Sequence, residues 1–183
     1  MDWLPLVSTF GGAAIALSGT FMLETRKQKE QRVRDHTAEK RAKYLEFIGA
    51  LDALHNNLRR CTRLTGEDID LEQATQDAVN DSKVFPAREN MLVVASPEVA
   101  RAAQAAFRRT RAFQQVVLRG LSIRSPEYHE AYHEYADAIW RLRVAVRVDL
   151  GNAPLKPEDV GKVSWSERED CRVCGERSAS PGE

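Results

Sequence analysis

Hydrophobic and polar positions divide the chain into stretches of different character. Residues 3–23 contain no charged side chain, residues 25–43 are nearly all polar, and residues 44–151 place apolar positions at helical spacing. The remaining residues, 152–183, are polar and rich in proline and glycine. Runs with a period of two, which are typical of strands, are absent. The pattern predicts an all-α protein with an N-terminal transmembrane helix, a basic helical stalk, an antiparallel four-helix bundle and a disordered C-terminal tail.

The N-terminal stretch has the length and composition of a membrane-spanning helix. The 21 residues from Trp3 to Leu23 carry no charge. At about 1.5 Å per residue, a helix of this length matches a hydrocarbon core of about 30 Å. A cleavable signal peptide starts with basic residues, whereas Asp2 is the first charged residue here. We therefore predict that residues 1–24 form a retained transmembrane anchor.

Basic residues after the anchor predict its orientation. They crowd the juxtamembrane stretch, residues 25–43, which we expect to be a helix: Arg26, Lys27, Lys29, Arg32 and Arg34. The basic flank of a membrane helix stays on the cytoplasmic side, which is the positive-inside rule. The rule predicts a single-pass protein of the cell membrane with its N-terminus outside and its C-terminal domain in the cytoplasm.

Small residues recur at every fourth position of the anchor. They are Ser8, Gly12, Ala16 and Thr20, which share one face of a helix. Small side chains let two membrane helices approach closely, so this transmembrane packing face predicts a homo-oligomer. The alternative is that such residues are simply common in membrane helices.

Two helices are predicted in the first half of residues 44–151. The first places its apolar residues in a heptad-like stripe, typical of coiled coils and core-facing helices: Tyr44, Phe47, Leu51, Leu54, Leu58 and Cys61. The second starts near Ile69 with Phe85 among its core-facing residues, and a kink or short break is expected at Pro86, which lacks a backbone donor.

Two further helices start at clear capping signals. Ser96-Pro97-Glu98 and Ser125-Pro126-Glu127 each provide an N-cap serine, a proline at the first helical position and an acidic residue in the first turn. Gly151 suits the position after the last helix. Four amphipathic helices with short connections predict an antiparallel bundle. The proline- and glycine-containing residues 152–183 predict a flexible tail, which Trp165 can dock onto the bundle.

Overall charge does not select a partner, because 27 basic residues balance 27 acidic ones. The third predicted helix is nevertheless rich in arginine: Arg101, Arg108, Arg109, Arg111 and Arg119. Phosphate contacts by these side chains give the hypothesis of a nucleic-acid-associated membrane protein. Because residues 67–83 are strongly acidic, we expect instead that the second and third helices neutralise each other.

The chain resembles uncharacterised small single-pass membrane-anchored helical-bundle proteins of high-GC bacteria of the actinobacterial type. The resemblance rests on a Met-Asp-Trp start, one anchor with a basic flank, and a bundle that contains residues 95–99, Ala-Ser-Pro-Glu-Val, and closes with residues 148–151, Val-Asp-Leu-Gly. It implies the anchored all-α architecture and brings no catalytic or binding residue with it.

One motif carries catalytic chemistry. His129, Glu130 and His133 spell H-E-x-x-H on a predicted helix, where the two imidazoles can bind zinc and the glutamate can activate a water molecule. A catalytic site needs a third ligand, and the acidic candidates Glu158 and Asp159 fall in the predicted flexible tail. The alternative is two partly buried histidines that hydrogen-bond to the second or third helix.

The cysteines do not show whether the two histidines bind a metal. Cys171 and Cys174 form half of a zinc knuckle, whose second pair the chain lacks, and Cys61 lies in a predicted helix. The alternatives are a site completed across a dimer, a redox-sensitive thiol pair or an inert tail.

These observations favour a membrane-tethered cytoplasmic helical interaction or scaffold module that is not an enzyme. Its expected partners are the lipid bilayer and either a second copy or an unidentified cytoplasmic protein. We assign it no small-molecule substrate, no cofactor and no catalytic or metal-binding residue. The alternatives are a zinc-dependent hydrolase using His129, Glu130 and His133, and a nucleic-acid-associated membrane protein.

Overall fold

The computed structural model describes the backbone of residues 4–64 and 70–174, and the side chains of Glu24 and of residues 26–64 and 70–174. Over these residues the protein is helical and contains no strand, which confirms the all-α prediction. The helices are α1 (Leu4–Cys61), α2 (Leu71–Ser82), α3 (Val84–Val94), α4 (Pro97–Leu118) and α5 (Pro126–Asp149), followed by a short 3₁₀ helix (Pro157–Val160).

The side chains of residues 1–23 of the predicted anchor lie outside the described residues. Its small-residue face, at Ser8, Gly12, Ala16 and Thr20, therefore stays a prediction, as does the orientation in the membrane. Over the part of the chain that the structure describes, no helix combines the length and apolar character needed to cross a membrane.

The chain divides into two compact units, Met1–Glu39 and Lys40–Glu183. The described side chains of the first unit are all exposed. They include Val33, whose carbonyl oxygen accepts a 2.9 Å hydrogen bond from Thr37 Oγ1. The second unit contains the hydrophobic core.

The core of the second unit contains the stripes that the sequence predicts. The part of α1 within this unit buries its stripe almost completely: Tyr44, Phe47, Leu51, Leu54 and Leu58. Helix α4 packs along α5 and also against α2. Helix α4 likewise buries one face: Val99, Ala103, Ala106, Phe107, Thr110, Phe113 and Val117.

Two carboxylates tie α1 to α5. Asp149 accepts a 2.7 Å hydrogen bond from Tyr44 Oη and lies 2.8 Å from Lys40 Nζ. Asp52 accepts from Tyr135 Oη at 3.1 Å and from Arg143 at 2.9 Å. These contacts add specific polar partners to the apolar packing of the two helices.

The predicted second helix is in fact two helices. The break falls at Lys83, which has a left-handed φ of 54°, and not at Pro86. Pro86 lies in the first turn of α3, where a backbone N–H has no intrahelical partner and its absence costs little. The earlier break changes the direction of the following residues, and Phe85, predicted to face the core, is 45% exposed.

The predicted starts of α4 and α5 are confirmed. The side chains of Ser96 and Ser125 accept hydrogen bonds from the backbone N–H groups of Val99 and Tyr128, at 3.4 and 3.2 Å. Asp70 caps α2 in the same way. Each cap satisfies a donor that the first turn of a helix leaves free.

The predicted charge pairing between α2 and α4 is not found among the described residues, and Glu67 and Asp68 of the acidic stretch lie outside them. Over the described residues no ion pair joins α2 to α4. Arg109 of α4 instead lies 2.7 Å from Glu134 of α5, and Arg101 pairs with Glu98 in its own helix. The reason is that α5 is the main neighbour of α4 and presents acidic residues beside it.

Residues 152–174, here called the C-terminal segment, do not form the flexible tail that we predicted. The segment lies on the bundle, and Trp165 is 9% exposed. Its ring stacks on Trp140 of α5 with centroids 4.7 Å apart and planes 11° from parallel. A few specific contacts compensate for the low apolar content of the segment. Residues 175–183, the end of the predicted tail, lie outside the described residues.

Candidate histidine and cysteine site

The C-terminal segment, α1 and the N-terminal half of α5 line a pocket of about 490 Å³ in the second unit. The side chains of three elements meet there: His55, Tyr128, His129, Tyr132, His133 and Cys171. The pocket therefore gathers both histidines of the H-E-x-x-H sequence and one of the two C-terminal cysteines.

The two histidines of the motif are placed by α5. The helix starts at Pro126 after the Ser125 cap, so His129 and His133 lie one turn apart on the same face. Their ring centroids are 6.3 Å apart. The expectation that they bond to the second or third helix was wrong, because both find partners in the C-terminal segment.

His133 is 2% exposed and has a defined hydrogen bond. Its Nδ1 atom lies 2.7 Å from the carbonyl oxygen of Ser166. Since a carbonyl oxygen only accepts, Nδ1 donates the proton and Nε2 of the neutral ring keeps its lone pair. This buried Nε2 has no hydrogen-bond partner among the described residues.

Cys171 completes a compact cluster with the histidines. Its Sγ atom lies 3.2 Å from Nδ1 of His129. One potential ligand atom from each of His129, His133 and Cys171 lies within 4.8 Å of the other two. Two imidazoles and a thiol are a donor set suited to transition metals.

Glu130 is engaged elsewhere. Its two carboxylate oxygens accept hydrogen bonds from both terminal nitrogens of Arg168, at 2.7 and 2.5 Å. Such a two-bond pair fixes the carboxylate in orientation. In the metallopeptidase motif this glutamate instead activates the metal-bound water.

Two aromatic side chains that line the pocket, those of His55 and Tyr132, have shifted pKa values. His55 is buried and stacks on Tyr135 at 4.5 Å between ring centroids. Burial, together with the nearby positive charge of Arg59, lowers the pKa of His55 to about 4. Burial also raises the pKa of Tyr132, helped by the negative charge of Glu167, to which its hydroxyl donates at 3.4 Å. Both groups are thus uncharged at neutral pH.

The third-ligand candidates considered from the sequence do not join the cluster. Glu158 and Asp159 lie in the 3₁₀ helix, where Asp159 accepts a hydrogen bond from the backbone N–H of Lys156. Cys174 is buried but is not one of the three clustered residues. The signal for Cys171 was available, because a C-x-x-C sequence and an H-x-x-x-H spacing both indicate metal chemistry. The sequence does not show that the two motifs lie together, because only the folded C-terminal segment brings Cys171 to the histidines.

Comparison with known proteins gives no relative. No protein-family model matches the chain, and no curated protein or solved structure shows significant similarity to it.

Proposed function

We propose that the protein is a non-enzymatic helical interaction module, tethered to the cell membrane by its N-terminal residues and exposing its second unit to the cytoplasm. The tether is supported by the uncharged residues 3–23 and by the basic residues that follow them. The observation that carries the absence of catalysis is the pairing of Glu130 with Arg168.

The pairing weighs against hydrolysis for a geometric reason. A general base must lie within hydrogen-bond reach of the water that it activates. Glu130 gives both of its oxygens to Arg168, and its carboxylate is outside the cluster formed by His129, His133 and Cys171. Freeing it requires the loss of two charge-assisted hydrogen bonds to Arg168.

Nucleic-acid binding is disfavoured by the ion pairs that two of the arginines on α4 already make. Arg109 pairs with Glu134, and Arg101 pairs with Glu98. Contact with a phosphate must compete with these carboxylates, which lowers the gain from each arginine.

Membrane fractionation tests the tether. We expect the full chain to sediment with membranes, to stay there at high salt and alkaline pH, and to dissolve only in detergent. Replacing Ile15 and Leu17 by aspartate should release it, because each charge at the centre of a membrane helix costs about 2.5–3.5 kcal/mol. The matched control, Val33→Asp, lies outside the anchor and should have no effect. Wild-type protein that stays in the supernatant contradicts the proposal.

Crosslinking in membranes tests self-association. We expect a crosslinked dimer that Gly12→Leu weakens, since a larger side chain keeps the two helices apart. Ala14→Leu, on the opposite face of the same helix, is the control. A monomer pattern in wild type leaves a heterologous cytoplasmic protein as the partner.

Hydrolysis assays test the absence of catalysis. Zinc-loaded protein incubated with casein and with a panel of ester and amide substrates should show no turnover. Turnover that Glu130→Gln abolishes would establish the hydrolase alternative.

A further inference from the structure

Three side chains from two elements converge in the pocket. His129 and His133 come from α5, and Cys171 comes from the C-terminal segment, 38 positions after His133. The sequence alone offers two incomplete metal motifs, and the fold places one beside the other. We infer that His129, His133 and Cys171 bind one zinc ion, which fastens the C-terminal segment to α5.

The distances fit a tetrahedral ion. Bonds of about 2.3 Å to sulfur and about 2.0–2.1 Å to nitrogen hold the ligand atoms of tetrahedral zinc about 3.3–3.6 Å apart. Sγ of Cys171 and Nδ1 of His129 are already 3.2 Å apart, and one potential ligand atom of each of the three residues lies within 4.8 Å of the other two. Small side-chain rotations would bring the atoms to the distances of a tetrahedral site.

The hydrogen bond of His133 prepares its ring for a metal. Metal-bound histidines commonly donate their other ring N–H to a carbonyl or carboxylate, which fixes the tautomer and the ring orientation. Nδ1 of His133 makes this bond to the Ser166 carbonyl at 2.7 Å. The buried Nε2, without a partner in the described part of the chain, is then the ligand atom. A metal ion would supply the interaction that this nitrogen lacks.

The donor set selects the kind of metal. Thiolate and imidazole together suit zinc, whereas calcium and magnesium prefer oxygen ligands. Zinc binds the deprotonated sulfur, so the proton between Cys171 and His129 is released to solvent when the ion enters. Three protein ligands leave a fourth position for a water molecule or for Asp170, which lines the same pocket.

The ion would join an existing set of contacts between segment and helix. Trp165 stacks on Trp140, and Arg168 pairs with Glu130. Because these contacts position the backbone around Cys171, little further ordering is needed when zinc binds. The site differs from the hydrolase alternative, since Cys171 replaces an acidic third ligand and Glu130 has no part in it. All three ligands belong to the second unit, so the inference does not depend on the membrane tether.

Elemental analysis of the full-length protein in detergent tests the site. The protein is stripped with a chelator, loaded with zinc and desalted, and we expect about one zinc per chain. Cobalt(II) should give an intense thiolate charge-transfer band with tetrahedral d–d bands. Zinc at about 100 times its Kd should raise the Tm by about 5–10 °C.

Matched cysteine variants assign the ligands. Cys171→Ser should lower zinc affinity by more than the roughly 10–100-fold typical of outer-shell changes and should remove the charge-transfer band. Cys174→Ser, in the same C-x-x-C sequence, and Glu130→Gln should keep one zinc with affinity within a few-fold of wild type. His129→Gln, at a half-buried position, tests the helix side of the site. Far-ultraviolet circular dichroism confirms that each variant is folded.

The inference is overturned by a wild-type protein that retains no stoichiometric zinc. It is equally overturned if Cys171→Ser binds zinc as tightly as wild type, or if folded Cys174→Ser loses the metal. Zinc retention by Cys174→Ser with loss in Cys171→Ser supports it.

Discussion

Helix α4 and the C-terminal segment both lie against α5, but they are held in different ways. Helix α4 buries a continuous apolar stripe along the length of α5. The segment instead uses single contacts of different kinds: the Trp165 stack, the Ser166 carbonyl, the Arg168 ion pair and the Cys171 thiol. Helix α5 therefore contacts α4 through periodic apolar burial and the C-terminal segment through a few side chains of specific chemistry.

The difference predicts different costs of substitution. A change in the apolar stripe affects the whole second unit, because its buried residues form one cluster. A change in the segment affects a local attachment and should leave the bundle folded.

Leu142→Ala tests the helix side of the comparison. Leu142 of α5 is 1% exposed, and its truncation leaves a cavity in the core. We expect a loss of about 2–5 kcal/mol in the free energy of unfolding, measured by urea denaturation. Val148→Ala, at an exposed position of the same helix, is the control and should cost much less. Equal effects of the two changes would contradict the burial described for α5.

Acidification tests how the buried, uncharged side chain of His55 contributes to stability. The pKa of His55 is about 4 in the folded protein and ordinarily 6.5. The unfolded chain therefore takes up a proton as the pH falls below about 6.5, and the folded one does so only near pH 4. Stability should decrease across this interval by about 3 kcal/mol.

Urea unfolding of metal-free protein between pH 7 and pH 4 measures this effect. The matched variant, His55→Phe, keeps a ring against Tyr135 and removes the titrating group. Its stability should depend less on pH over the same interval. Identical pH profiles of the variant and wild type would show that His55 is not the group responsible.

Trp165→Ala tests the segment side. Loss of the stack on Trp140 should destabilise attachment of the segment by about 2–3 kcal/mol. We expect faster hydrogen exchange and proteolysis in residues 152–174, with protection of α4 and α5 unchanged. Val163→Ala, at a 75% exposed position of the same segment, is the control. Unfolding of the whole bundle by Trp165→Ala would show that the segment is part of the main core.

Arg168→Ala should have the smallest effect. The pair with Glu130 is partly exposed, with side chains 46% and 43% accessible. Solvent screening limits such pairs to about 1 kcal/mol or less, and salt weakens them further. We expect hydrogen exchange in the C-terminal segment to be slightly faster than in wild type at low salt. At high salt the exchange rates should be the same as in wild type. Arg172→Ala, an exposed arginine nearby, should match wild type at both salt concentrations.

Sequence patterns were most informative where a local rule applies. Ser96 and Ser125 start helices because their side chains cap free N–H groups, and the stripe from Tyr44 to Leu58 is buried because its spacing places it on one face. The break at Lys83 escaped prediction, since a left-handed lysine carries no strong sequence signal, whereas Pro86 does. Its consequence was the exposure of Phe85.

The candidate site was predicted only in part for a similar reason. The pairing of His129 with His133 follows from helix geometry, which relates residues four positions apart. The approach of Cys171 depends on how the C-terminal segment crosses α5, and no periodic pattern encodes that path. The same holds for the engagement of Glu130, whose partner Arg168 lies in the segment.

Local sequence patterns predict the all-α class, the capped starts of α4 and α5, the buried stripe of α1 and the spacing of two histidines. These properties depend on interactions between residues close in the chain, which propensity and periodicity describe. Tertiary packing places residues 152–174 against α5, pairs Arg168 with Glu130 and brings Cys171 to His129 and His133. These are contacts between residues distant in sequence, and their geometry is set only when α5 and the segment pack together.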